Sequence, residues 1–79
     1  MLQVNCVIVQ KLKDKIDGLV LEDVTYRVRK IHALIMDVDC DSEDQEKAKN
    51  LLKKYLEELP EMQAKFLSIK VTDDSGNII

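Results

Sequence analysis

The residues with the most chemical potential are three carboxylates at alternate positions, Asp37, Asp39 and Asp41. They follow the apolar run Ile31 to Met36 directly, a place where hard oxygen ligands could gather a divalent cation. The calcium-loop pattern is not met: counted from Asp37, the sixth position is Ser42 in place of Gly and the twelfth is Ala48 in place of Glu. Carboxylates marking a strand-to-helix junction account for the spacing, with a weak Mg²⁺ or Ca²⁺ site as the alternative, and no metal or cofactor is assigned. His32 is the only histidine, between Ile31 and Ala33, without the neighbours that acid–base or metal chemistry requires. It reads as a hydrogen-bonded histidine in or at the edge of a sheet. Cys6 and Cys40 match no zinc spacing and read as two free, mostly buried thiols. Cys40 lies just before a helix, which makes it the more reactive of the two. Ser42 and Ser75 read as a cap and a turn. With Gly18 and Gly76 the only glycines, no phosphate-cradling loop can form.

The string Ala33-Leu34-Ile35-Met36-Asp37-Val38-Asp39 resembles the first motif of haloacid-dehalogenase-like phosphatases, a strand ending in Asp-x-Asp. The resemblance stops there. That family's Thr or Val two residues after the second Asp is Asp41 here, and the chain is too short for the remaining motifs. No nucleophile, base and oxyanion donor come together, so the chain is expected not to be an enzyme.

Two basic groups remain: Lys11, Lys13 and Lys15, and Arg27, Arg29 and Lys30. Together with the terminal pair Ile78 and Ile79 they are the candidate interaction residues. Solvated charge and lysine protection of an edge strand explain the basic groups without a ligand. Nucleic-acid contact is the alternative, weakened by the scarcity of aromatic stacking platforms.

The elements that would position these groups follow from periodicity. Leu2 to Val9 is β-branched and reads as a strand. Asp17-Gly18 reads as the loop of a hairpin, with Val9 facing Tyr26, Val7 facing Val28 and Lys13 facing Glu22. That register sets the lysines and the arginines on opposite sides of the hairpin. Leu19 to Asp39 fits both a helical and a strand period; its β-branched content favours a long bent strand, or two strands separated by a bulge at Arg29 and Lys30. Ile31 to Met36 reads as a central strand covered on both faces. Ser42 with Gln45 forms a capping box, and Ala48, Leu51, Leu52, Tyr55, Leu56 and Leu59 make one helical stripe ended by Pro60. Phe66 to Thr72 reads as a strand, Asp73 to Asn77 as a turn.

The chain has 79 residues, 46% hydrophobic and 34% charged, with a net charge of −3. Residues 1–79 read as a single small domain, α+β, with an antiparallel sheet of three to four strands in the order β-β-(β)-α-β and one amphipathic helix on one face. The acidic balance argues against phosphate-driven binding. Unpaired cysteines, no apolar run long enough to span a membrane and no signal-peptide start point to a soluble, cytoplasmic protein. One helix cannot cover both faces of such a sheet, so Ile8, Cys6, Ile31, Leu34, Ile35 and Met36 are expected to leave an apolar far side. The expected function is a non-catalytic protein–protein interaction module: a homodimeric adaptor or regulator, or a small subunit of a complex.

Overall fold

A computed structural model describes residues 1–62 and 66–73. The elements run β1 (Leu2–Cys6), α1 (Val9–Ile16), β2 (Val20–Leu21), β3 (Val24–His32), β4 (Ile35–Cys40), α2 (Gln45–Glu57), a 3₁₀ turn (Pro60–Met62) and β5 (Leu67–Val71). The strands form one sheet in the order β2-β3-β4-β1-β5, with every pairing antiparallel. Strand β4 thus lies between β1 and β3, and β1 lies between β4 and β5. Two split β-α-β units interleave, which is the ferredoxin-like topology. The α+β class agrees with the sequence expectation, but there are five strands and two helices in place of three or four strands and one helix. The turn through Asp74 to Asn77, and Ile78 and Ile79, lie outside the described residues.

The second helix is α1, where a hairpin arm was expected. Val9, Leu12 and Ile16 fall at helical spacing and are all buried, while Lys13 and Lys15 in the last turn offset the helix dipole. The chain leaves the helix at the extended C-cap Asp17, and Gly18, at φ 84°, supplies the positive φ of a turn that the Leu19 amide closes onto Ile16 O at 3.0 Å. The same dipeptide suits a tight hairpin because both structures want a left-handed glycine. The expected pairs of Val9 with Tyr26, Val7 with Val28 and Lys13 with Glu22 are therefore absent. Strand β1 instead pairs Val4 with Met36 and with Ile69.

Leu19 to Asp39 also divides differently. Two-residue turns fall at Glu22–Asp23, both with positive φ, and at Ala33–Leu34, with Ala33 at φ 56°. Ile31 to Met36 is therefore the tip of a hairpin and not one covered strand. The bulge does sit at Arg29: the β3–β4 register shifts between Val28 and Lys30. Ala33 holds a first-turn position that favours glycine, at a cost of roughly 1 kcal/mol for its Cβ. Ala33→Gly is expected to raise stability by about 0.5 kcal/mol, after the entropy that glycine adds to the unfolded chain. A shifted urea midpoint with unchanged slope would show it.

One core lies between the sheet and both helices. It contains Leu2, Val4 and Cys6 from β1, Tyr26 from β3, Met36 and Val38 from β4, Leu12 and Ile16 from α1, and Ala48, Leu52 and Leu56 from α2. Asp44, not Ser42, is the N-cap of α2, accepting from the Lys47 amide at 3.0 Å. Ser42 bonds Asp44 instead, and the Gln45 side chain donates to Ser42 O. Among the described residues, no helix is long and apolar enough to cross a membrane.

Tyr26 ties the layers together: its hydroxyl donates to Ala48 O of α2 at 2.7 Å, fully buried. Burial, then the nearby Cys40 and Asp41, push its pKa up to about 12. The folded state keeps this proton where the unfolded chain releases it near pH 10. The tyrosine's contribution is therefore complete below about pH 10, falls as pH rises, and levels off above about pH 12. Tyr26→Phe is expected to cost about 1 kcal/mol at neutral pH and to remove that alkaline limb. Urea unfolding in a Tyr55→Phe background, followed through the alkaline range, reads both effects.

Candidate functional site

Alternation places the functional side chains on the sheet face that neither helix covers. From β1 come Gln3 and Asn5, from β4 Ile35, Asp37 and Asp39, from β5 Ser68 and Lys70. From β3 come Thr25 and Arg27 before the bulge, and Lys30 and His32 after it. The bulge at Arg29 decides this: Val24, Tyr26 and Val28 face the core, and unbroken alternation would have sent Lys30 after them. The extra residue turns Ile31 inward beside Met36 and sends Lys30 outward opposite Asp37, with His32 opposite Ile35.

The register makes two rows across the bare face. One runs Lys30, Asp37, Gln3, Lys70; the next runs His32, Ile35, Asn5, Ser68. This is the far side expected to be apolar, and it is polar. Cys6 and Met36 belong to the core, Ile8 and Ile31 pack against it, Leu34 is exposed in the β3–β4 turn, and of the six only Ile35 stands in the open-face rows. A second helix over the inner face and the bulge together account for the difference.

The basic groups stand on opposite layers of the molecule. Arg27, Arg29 and Lys30 lie on β3, where Arg29 pairs with Asp39 at 3.3 Å. Lys11, Lys13 and Lys15 lie exposed on α1, behind the sheet, and Lys15 pairs with Glu61 at 3.1 Å. The acidic triplet disperses: Asp39 meets Arg29, and Asp41 accepts the Thr25 amide at 2.6 Å. Among the described residues, no group of acidic, histidine or cysteine side chains is arranged to hold a metal. Cys6 is buried beside the Met62 sulfur and Cys40 is half-buried; neither is bridged. The Cys40 thiol donates to Gln45 Oε1 at 3.1 Å, and burial pushes its pKa up. Cys40 is the more accessible of the two thiols.

Of a second feature, sequence reasoning named only Leu34 as uncovered apolar surface. Val7, Leu34 and Phe66 are 56%, 48% and 66% exposed. Cys6 pairs with Leu67, and its amide donates to Leu34 O at 3.0 Å. Val7 follows Cys6 at the end of β1, Phe66 precedes Leu67 at the start of β5, and Leu34 lies in the β3–β4 turn. Three exposed apolar residues thus stand at one end of the sheet, at three neighbouring strand ends, and make up its rim. The available signal was that each stands just outside an alternating strand. Their meeting depends on the β4-β1-β5 order, which has no local mark.

Comparisons with protein-family models, with curated proteins and with solved structures find no match to this chain. The likeness to ferredoxin-like domains is one of strand order, and strand order alone carries no function.

Proposed function

We propose that this chain is a non-catalytic protein–protein interaction module that self-associates as a symmetric homodimer through the rim of Val7, Leu34 and Phe66. The observation that carries the reading is Phe66, one of three aromatic residues, 66% exposed beside two other exposed apolar side chains. Contiguous apolar surface of this kind marks protein contacts more than a scatter of single exposed residues does. A two-fold contact matches the rim to itself, so one apolar patch serves both copies. The reasoning differs from the sequence expectation of a bare apolar flank, because the far face is polar; the uncovered apolar surface lies at the sheet end. The basic residues Arg27, Arg29 and Lys30 support nucleic-acid contact less well, since Asp37 and Asp39 stand directly across from them. Among the described residues, the strands of the open sheet face carry no Phe, Tyr or Trp on that face for stacking, and His32 is the one ring there.

Sedimentation or light scattering over a concentration series tests this. The expected result is a dimer dissociating with Kd on the order of 10 μM, nearly independent of salt. A particle that stays monomeric through millimolar concentration overturns it. So does salt-sensitive retention on nucleic acid without self-association.

A further inference from the structure

We propose that the open sheet face holds a binding site for a small zwitterion, an α-amino acid with an apolar side chain, between β3, β4 and β1. The proposal does not depend on the rim or on self-association. The site is a depression of about 260 Å³ lined by Gln3, Lys30, His32, Ile35 and Asp37. Ligand pockets for larger molecules run from roughly 300 Å³ upward, so this volume limits the occupant to a small one.

Three observations give the site its chemistry. First, Lys30 and Asp37 face each other directly in the register yet form no ion pair, whereas the adjacent Arg29–Asp39 pair closes at 3.3 Å. An ammonium and a carboxylate held apart across a depression are complementary to a ligand that carries both charges. A simple anion would meet Asp37, and a simple cation would meet Lys30. Second, the β-bulge aims Lys30 and His32 at this spot, and bulges recur where a strand must re-aim a side chain beside a site. Third, the polar side chains of Gln3, Lys30, His32 and Asp37 have no partner within the chain among the described residues. Lys30 and His32 take the ligand carboxylate, Asp37 takes its ammonium, and Gln3 offers a donor and an acceptor to either group. Ile35, the one apolar residue in the two rows, receives the side chain.

The test is titration of the isotopically labelled 79-residue chain with L-leucine, read from amide shifts. Saturable shifts at Gln3, Lys30 to His32 and Asp37, with Kd on the order of 1 mM, are expected for an open site of this size. Isoamylamine and 4-methylpentanoate, which carry one charge each, should bind at least about tenfold more weakly, equivalent to about 1.4 kcal/mol. Asp37→Asn and Lys30→Met should each weaken leucine binding by a similar factor. Both side chains point to solvent, so the variants should keep the parent spectrum elsewhere; if either variant loses its fold, Gln3→Ala takes its place. The proposal is overturned by no saturable shift at about fifty times the expected Kd, by equal binding of the single-charge analogues, or by variants that bind as well as the parent.

Discussion

Replacing Leu12 by Ala is expected to lower the free energy of unfolding by about 3 kcal/mol, enough to leave a domain of this size barely folded. Leu12 is fully buried in the shared core and sits mid-stripe on α1 between Val9 and Ile16. Truncation removes apolar burial and leaves a cavity beneath an eight-residue helix that has no side-chain N-cap to hold it independently. The exposed neighbour Lys13 provides the contrast: Lys13→Ala should change stability by no more than about 0.5 kcal/mol. Urea unfolding followed by circular dichroism checks both. Equal, small effects at the two positions would mean that α1 does not contribute to the core.

The second large effect is expected in association. The double variant Leu34→Ser, Phe66→Ser should weaken self-association by roughly 100-fold or more while leaving monomer stability within about 0.5 kcal/mol of the parent. The asymmetry follows from exposure. Both side chains already face water in the single chain, so folding gains little from them, whereas a two-fold contact buries each of them twice. An oxidisable or charged residue is not involved, so neither pH near neutrality nor salt should restore the variant. Equilibrium sedimentation of the two proteins at matched concentrations reads the shift. If the variant dimerises as well as the parent, the contact lies elsewhere on the surface and the rim is not the interface.

Much of the fold could be read locally, and where local reading went astray the cause is identifiable. The α2 stripe, the β-branched content around β1 and the break at Arg29 are short-range signals, and each corresponds to an element or irregularity in the structure. The helix α1 carried its signal too, in Val9, Leu12 and Ile16, but a glycine that ends a helix and one that turns a hairpin look alike in sequence. Conversely, Glu22–Asp23 and Ala33 take left-handed turn conformations without glycine, so nothing local announced those hairpins. A hairpin at Asp17-Gly18 displaces every expected cross-strand partner of β1.

The amino-acid order by itself determined the α+β class, the amphipathic α2, the β-branched strands and the unpaired cysteines, because each depends on spacing within one or two turns of chain. Only the tertiary structure decided that β1 lies between β4 and β5, that both helices share one face, and that the opposite face is polar. Strand order and face assignment are set by which elements bury one another's apolar sides, a competition among distant segments. That competition brings Lys30 opposite Asp37 beside Gln3, and Val7, Leu34 and Phe66 to one end of the sheet.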